Sequence, residues 1–296
     1  MTELVTIGMP VYNRPVEMAR AIESVLSQSY LNLEILISNN NSPNPEVEVV
    51  AKNFQNKDSR IQYFFQSSSI HPFDHFKFLK EKASGEFFMW LADDDWLDVN
   101  FIKDCLYFLK NNKDFSCCTG KCNYIENNII LSDDSSKSIT NNNKLLRVFK
   151  YISTVSINGY FYGLYPKTVI DKVKFNNSLG IDWKVIATVL FVGKIKVLDT
   201  THHFISKGGA SNNSATFKEY GYLATKLIGL SSAISLTKYI YQNLLSNYNF
   251  ISKSILSLII FVCTYKNILI WDILFLKRKL IIFLGINKTG VIDNRN

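Results

Sequence analysis

Short apolar runs alternate with amphipathic stretches along the first hundred residues. The apolar runs predict strands, and apolar positions spaced three or four residues apart predict the helices between them. Strands are predicted at Leu4–Met9 (ended by Pro10), Leu33–Ser38, Ile61–Phe65 and Phe87–Leu91, and helices at Val16–Gln28, Val47–Phe54, Phe73–Ala83 and Leu97–Leu109. Strands and helices in alternation, joined by short loops, indicate a parallel sheet with right-handed crossovers.

Polar clusters follow three of these predicted strands. Tyr12-Asn13 follows the first strand, Asn39–Ser42 the second, and Asp93-Asp94-Asp95 the fourth. Ligands of open α/β sheets bind beyond the carboxyl ends of the strands. The sequence therefore places a ligand site where these clusters meet.

The middle of the chain is less regular. Residues 127–144 are rich in Asn, Ser and Asp and predict a surface loop. A helix is expected to begin near Asp182, followed by a strand at Lys194–Leu198. His202–Asn213, with two adjacent glycines, is expected to be a loop.

The composition changes after Thr216. Ten basic residues there face three acidic ones, and charged side chains interrupt every apolar window long enough to span a bilayer. Apolar residues recur at helical spacing beside a basic run, as in a helix that lies in the interface of an acidic membrane; they are Leu269, Ile273, Leu276, Leu280 and Phe283, beside Lys277–Lys279. A helical domain that packs these faces on itself explains the pattern equally well.

The composition excludes a wholly disordered chain but does little to identify the class of binding partner. Of 296 residues, 47% are hydrophobic and 20% charged, and the net charge is +8. That sign suits nucleotides, nucleic acid or an acidic membrane without choosing between them. The five cysteines lack the paired spacing of a zinc site, so reduced thiols are expected, and no secretory leader is visible at the N-terminus.

The three consecutive aspartates suggest the chemistry. Adjacent carboxylates repel one another and need a compensating cation, solvent or a helix N-terminus. Hard oxygen ligands suit Mg²⁺ or Mn²⁺, which keep open positions for phosphate oxygens. Capping of the next helix is the alternative, but a cap needs a single Asp.

Four segments together resemble family 2 glycosyltransferases, enzymes of the GT-A fold. They are Val5–Arg14, Ser24–Tyr30, Glu34–Ser42, and Ala83–Phe88 leading into Leu91–Leu97, in the family's order, and the similarity runs from about residue 3 to residue 212. The resemblance implies an α/β fold with a Rossmann-like, mostly parallel central sheet flanked by helices. It also implies a domain at 1–215, with a nucleotide-binding half (1–98) and an acceptor-binding half (99–215). The composition after Thr216 sets apart a helical, basic C-terminal extension at 216–296, for which contact with a membrane is one expectation.

Roles for individual residues follow from the same resemblance. Pro10, Tyr12 and Asn13 match the border of the nucleotide's base and ribose, and Asn39 and Asn40 match a pair that is acidic in many relatives and reads the uracil imide. Asp93 matches a position near the ribose, and Asp94 and Asp95 match the ligands of Mn²⁺ or Mg²⁺. Ala92 stands where many relatives carry the first aspartate of the motif.

The second half supplies the remaining expected residues. Asp182, within Leu179–Trp183, resembles the catalytic base; physically, a carboxylate beside Trp183 is expected to have a raised pKa, and the alternative is a helix N-cap. Lys207 lies in a segment that resembles a mobile loop, and either Lys207 or His203 is expected to face the diphosphate. The paired His202 and His203 are expected to be polar residues at a strand end rather than metal ligands.

The implied reaction is inverting, metal-dependent transfer of a sugar from a nucleoside diphosphate, with UDP expected first, to a glycan or lipid-linked glycan hydroxyl. The expected setting is synthesis of bacterial capsule or lipooligosaccharide at the inner face of the cytoplasmic membrane, without nucleic acid as a partner. A nucleotidyltransferase is disfavoured because Pro10–Arg14 stands where a Gly-rich basic loop is needed. A non-catalytic binding module is disfavoured by the complete Asp triplet together with Asp182.

Overall fold

The predicted strands form the parallel part of a five-stranded sheet. The computed structural model describes residues 2–126, 129–133, 137–155, 158–175, 180–206 and 227–283. The sheet has the order β3-β2-β1-β4-β8, and only β8 is antiparallel to its neighbour. Its strands are β1 (Val5–Val11), β2 (Leu33–Asn39), β3 (Ile61–Phe65), β4 (Phe87–Trp90) and β8 (Tyr165–Pro166).

Helices cover this sheet and connect its strands. They are α1 (Pro15–Leu26), α2 (Glu46–Lys57), α3 (Pro72–Lys82) and α4 (Phe101–Asn111). The buried faces of α1 and α4 join β1 and β2 in one hydrophobic core, so the apolar spacing in the sequence is the spacing that the core uses.

Two predicted boundaries in this half are wrong. β1 continues through Pro10 to Val11, because β4 pairs only with Val5–Gly8 and Pro10 lies beyond the part of β1 that has neighbours on both sides. The helix predicted from Leu97 begins at Phe101, because Trp96 and Leu97 form the short strand β5, which pairs with a strand from the second half.

That second half contains a sheet that the sequence analysis did not predict. Its order is β5-β9-β6-β7, and its strands are β5 (Trp96–Leu97), β6 (Phe115–Glu126), β7 (Ile129–Asp133) and β9 (Lys194–Ser206). Within the predicted surface loop at 127–144, residues 129–133 are therefore a strand. His202–Ser206 is the end of β9 rather than a loop, because it pairs with β6 in parallel register; 207–213 lie outside the described residues.

Helices of the second half carry the residues that face the second sheet. They are α5 (Lys144–Thr154), a 3₁₀ turn (Gly159–Tyr162), α6 (Lys167–Ile170) and α7 (Ile181–Val192). The expected helix near Asp182 is confirmed. Gly180 is its N-cap residue, with φ of +72°, so Asp182 lies inside the first turn rather than at the cap.

The C-terminal region is helical, as expected. It comprises α8 (Leu227–Asn243) and α9 (Phe250–Phe283). Helix α8 packs on α7, and α9 packs on α5 and α8, with Leu236, Ile240 and Ile260 in the same buried cluster as the α7 side chains. The predicted domain boundary at 215 falls outside the described residues.

Helix α9 has a second apolar face that the described residues leave exposed. Eight large hydrophobic side chains on it are more than a third exposed: Phe250, Ile251, Ile255, Leu258, Ile259, Val262, Tyr265 and Leu269. Among the described helices, the segment Phe250–Leu269 alone is long and apolar enough to cross a membrane, with a mean hydropathy of 1.3 and 22% of it buried. Length and composition of one helix are weak evidence for a span.

Candidate functional site

Hydrogen bonds join the three polar clusters at the carboxyl ends of the strands. The backbone N–H of Tyr12 donates to Asp93 Oδ2 (3.0 Å), and the N–H of Asn13 donates to Ser42 Oγ (3.0 Å). Asn13 adopts a φ of 63°, a left-handed conformation that asparagine tolerates. The loops after β1, β2 and β4 therefore meet at one rim of the sheet, as the sequence analysis predicted.

The Asp triplet is buried at this rim. Asp93, Asp94 and Asp95 are 6%, 5% and 2% exposed. Arg14 Nη1 lies 3.2 Å from Asp93 Oδ1 and 2.7 Å from Asp94 Oδ2, so one guanidinium is shared by two carboxylates. Arg20 Nη2 donates to the backbone carbonyl of Asp94 (2.7 Å) while its guanidinium lies over the Trp96 ring, which fixes the turn that carries the triplet.

Burial makes the negative charge of this turn costly. It raises the pKa of Asp93 to about 7, although the N–H of Tyr12 and the Arg14 charge act in the opposite direction. Burial and the neighbouring Asp95 raise the pKa of Asp94 to about 6. The protein thus compensates only part of the triplet's charge, and a bound cation would compensate more.

Asp95 is held from the second sheet. Its Oδ1 accepts from the backbone N–H of Ser206 (3.0 Å), and its Oδ2 lies 3.1 Å from His203 Nε2. The His203 side chain is fully buried, between the rings of Phe101 and Tyr162. The sequence analysis expected Lys207 or His203 to face the diphosphate and did not predict the contact of His203 with Asp95. The signal for that contact was the strand alternation of residues 202–206, which points alternate side chains to the same face.

Both asparagines expected near the base are engaged in internal hydrogen bonds. Asn39 donates to the Tyr63 hydroxyl (3.0 Å) and accepts from the N–H of Ser42 (2.9 Å). Asn40 both donates to and accepts from the backbone of Ile70 (2.9 and 2.8 Å). In this structure the two amides hold the loops of the rim. Each uses one N–H and one lone pair in these bonds, which leaves one N–H and one lone pair for a ligand.

The other residues expected near the nucleotide are more open. Pro10 is partly exposed, and Tyr12 and Asn13 are exposed, so their surfaces are available to a ligand. Lys207 lies outside the described residues.

Asp182 is a partly exposed carboxylate on an otherwise buried helical turn. Its Oδ2 accepts from Asn158 Nδ2 (2.9 Å), which together with the helix N–H groups favours the ionised form. Burial outweighs these contacts and raises the pKa of Asp182. The raised pKa expected from the sequence is confirmed; its main cause is burial.

Tyr162 connects Asp182 with the triplet. The carboxylates of Asp94, Asp95 and Asp182 all add to burial in raising the pKa of the Tyr162 hydroxyl. Charges act on one hydroxyl in this way only when they lie around it. The expected metal ligands and the expected base therefore border the same region of the protein.

The carboxylates of Asp94 and Asp95 suit a divalent cation by their chemistry and their surplus of negative charge. The geometry is not that of a complete metal site: no group of three or more His, Cys, Asp or Glu side chains within the described residues is arranged to hold a metal ion. Arg14 instead contacts Asp93 and Asp94. The residues fit a cation that takes the rest of its ligands from a substrate, as Mg²⁺ commonly does from phosphates.

Comparison with known proteins agrees with this geometry. The family model described as "Glycosyl transferase family 2" matches residues 6–173. The chain is 27% identical over 174 residues to the GalNAc(5)-diNAcBac-PP-undecaprenol beta-1,3-glucosyltransferase of Campylobacter jejuni, covering 58% of this chain and 55% of that protein. It is 31% identical over 109 residues to an uncharacterized glycosyltransferase of Haemophilus influenzae, covering 37% and 43%. The chain thus spans about half the length of these curated relatives.

Solved structures confirm the fold class. The crystal structure of S. aureus TarS 1–349 in complex with UDP-GlcNAc superposes with a TM-score of 0.64 at 14% identity, covering 86% of this chain and 70% of that one. The uncomplexed TarS 1–349 gives 0.63 over 88% and 72%. At this identity the likeness speaks for the fold alone.

Proposed function

The chain belongs to glycosyl transferase family 2, and from that premise we propose that it transfers a sugar from a nucleoside diphosphate to a hydroxyl group of a glycan or lipid-linked glycan. One observation carries this proposal: the buried acidic turn, through Asp94 and Asp95, and a separate carboxylate, Asp182, lie near enough to one tyrosine, Tyr162, for their charges to act on its hydroxyl. The acidic turn suits the diphosphate end of a donor, and the separate carboxylate suits the acceptor hydroxyl.

In the proposed reaction, Asp182 acts as the general base. Its carboxylate takes the proton of the acceptor hydroxyl while the acceptor oxygen forms a bond to the anomeric carbon of the sugar. The bond from that carbon to the diphosphate oxygen breaks, and the nucleoside diphosphate leaves with the electron pair. Attack opposite the leaving group inverts the anomeric configuration. A base of raised pKa is well matched to this task near neutral pH.

We also propose that Asp94 and Asp95 hold Mn²⁺ or Mg²⁺ together with the diphosphate. Such a cation, when bound, offsets the charge that builds on the leaving group. The chain's own contribution is to keep the two carboxylates in place, through Arg20 on the backbone of Asp94 and through His203 and Ser206 on Asp95.

UDP is the proposed nucleotide of the donor. The name of the Campylobacter relative describes a glucosyltransferase whose acceptor carries undecaprenol through a diphosphate, and TarS has been crystallised with UDP and UDP-GlcNAc. These names support UDP and a lipid-linked acceptor as the first substrates to try. Synthesis of capsule or lipooligosaccharide is the proposed setting.

A donor panel tests the function. Binding of UDP, GDP and CMP is measured by titration calorimetry with Mn²⁺, with Mg²⁺ and with EDTA, followed by turnover of the matching sugar nucleotides with lipid-linked acceptors. We expect cation-dependent binding of UDP above the other nucleotides and a product of inverted anomeric configuration by NMR. Nucleotide binding that EDTA leaves unchanged would rule out the metal assignment, and a retained configuration would rule out the single displacement.

Contact with an acidic membrane belongs to the same proposal. The exposed face of α9 is apolar over residues 250–269, and the region after Thr216 carries seven of the chain's eight net positive charges. An apolar face with a cationic surrounding binds anionic bilayers. A second copy of the chain is the less suitable occupant, because it would bring like charges together.

Vesicle binding tests this contact. Leu258→Glu with Val262→Glu is expected to abolish co-sedimentation with phosphatidylglycerol vesicles, whereas Leu31→Glu with Val49→Glu, which are similarly exposed at the other end of the chain, is expected to leave it intact. Equal binding by both double variants, or a dimer by light scattering that the α9 variant dissociates, would overturn the membrane assignment.

A further inference from the structure

The 3₁₀ turn and the residue before it touch both parts of the site. Asn158, the N-cap residue of the turn, donates to the carboxylate of Asp182. Tyr162, the last residue of the turn, packs its ring against His203, with the ring centroids 5.4 Å apart. His203 in turn lies 3.1 Å from Asp95. Five consecutive residues thus reach from the proposed base to a proposed metal ligand.

The turn itself is firmly anchored. Tyr160 and Phe161 are buried, and Phe161 stacks on Trp90 with centroids 4.7 Å apart and ring planes 2° apart. The Tyr165 hydroxyl donates to the carbonyls of Tyr160 and Phe161 (2.5 and 2.9 Å). Because the middle of the turn is fixed in the core, its two ends hold a fixed distance from each other.

We propose that Asn158 is a positioning residue for the reaction: its amide N–H orients the carboxylate of Asp182 and favours its ionised form, and the rigid turn sets that carboxylate relative to the His203–Asp95 pair. This inference rests on the proposed role of Asp182 as the base. It assigns a role to a residue that the resemblance left without one.

The effect of Asn158 on the Asp182 carboxylate adds to the effects of the other ionisable groups around it. The charge of Asp182 acts on Tyr151 from α5, on Tyr162 from the turn and on Lys184 from α7 itself, and the Lys184 ammonium in turn favours the ionised form of Asp182. From helix α8, Ser235 hydrogen-bonds to Lys184, and Tyr239 hydrogen-bonds to Thr188. Lys167 of α6 forms an ion pair with Asp171. Strands β6 and β9 contribute Cys117, Ile195 and Val197 to the core beside α7. Within the described residues, Asn158 provides the side-chain hydrogen-bond donor to the Asp182 carboxylate.

The pH profile separates positioning from a purely structural role. A base must be ionised, so activity rises with pH through the pKa of Asp182. Removing a hydrogen bond to the ionised form raises that pKa. The acidic limb is the part of the pH profile where kcat rises with pH. In Asn158→Ala this limb should therefore move to higher pH by about one unit, so that at a given pH on the limb kcat is roughly tenfold lower. In Asn158→Asp, which adds a like charge, the limb should move further.

Two variants control the experiment. Asn158→Ser keeps a small donor and should restore much of the limb. Asn112→Ala removes a similarly part-buried amide donor, whose acceptor is the Phe108 carbonyl, and should lower the melting temperature without moving the limb. Tyr162→Phe should keep the wild-type limb position, because the ring packing on His203 remains, whereas Tyr162→Ala should lower kcat at every pH.

The outcomes distinguish this inference from the proposed function. If the Asn158 variants fold and keep the wild-type acidic limb while Asp182→Asn is inactive, the inference is wrong and the base assignment stands. If Asp182→Asn is itself fully active, the base assignment fails, and the inference fails with it.

Discussion

The acidic turn and Asp182 are both carboxylate sites in which burial raises the pKa, but the protein holds them differently. Arg14, Arg20, His203 and two backbone N–H groups surround Asp93–Asp95. In the part of the chain that the structure describes, Asp182 has one side-chain hydrogen-bond partner, Asn158, and it stays partly exposed. A site built to keep negative charge for a cation needs many fixed partners, whereas a base must keep one side free for its proton. The difference in partners therefore matches the difference in proposed roles.

The largest effect is expected at Asp182. Asp182→Asn keeps the shape and removes the base, and general-base catalysis typically contributes about 10²–10⁴-fold. We expect turnover to fall by that factor while the Kd for the donor stays unchanged, as measured by single-turnover kinetics and calorimetry.

Asp199→Asn is the matched control, since Asp199 is exposed on β9. Near-normal turnover by Asp182→Asn would show that the two carboxylate sites do not divide the reaction as proposed.

The second effect concerns the stability of the acidic turn without metal. Because folding raises the pKa of Asp93 from 3.8 to about 7, the folded state binds the proton more tightly than the unfolded state. Stability is then complete at low pH and is lost as the pH rises towards 7, by roughly 4 kcal/mol from this group. Denaturant unfolding in EDTA should show this loss between pH 4 and 7.

Asp93→Asn should remove most of that dependence on pH. Asp182→Asn should remove less, because helix N–H groups and Asn158 already favour the ionised form there. A wild-type stability that rises steadily from pH 4 to 7 in EDTA would contradict the burial argument.

The smallest effect is expected at His203. A partner that orients a metal-binding carboxylate is typically worth about 10–100-fold in metal affinity. His203→Gln should weaken the dependence of donor binding on Mn²⁺ by that factor without moving the acidic limb set by Asp182. His202→Gln, which loses a contact with Asn123 instead, serves as control; an equal loss in both variants would indicate general damage to β9.

The sequence predicted the first half well because its strands are continuous apolar runs and its polar clusters directly follow them. β6 was missed because Gly120, Lys121 and Asn123 interrupt its apolar pattern, and its partner β9 arrives from about 75 residues further along the chain. The place of Pro10 within β1 was not predicted for a similar reason. A proline is acceptable there only because β4 pairs with β1 no further than Gly8.

At the site, the sequence identified residues better than it identified contacts. The triplet and Asp182 stand out as carboxylates next to apolar runs. The pairing of His203 with Asp95 spans more than a hundred positions and depends on the register between β5 and β9, which short-range patterns do not contain. No sequence pattern indicated Asn158, because its proposed role depends on the rigid turn that follows it.

The double hydrogen bond between Asn40 and the backbone of Ile70 limits how this enzyme can acquire a new donor preference. A substitution at position 40 would release the segment around Ile70 at the same time as it alters the surface that we propose faces the base. Laboratory selection for another nucleotide should therefore yield changes at exposed neighbours such as Tyr12 before any change at position 40 survives.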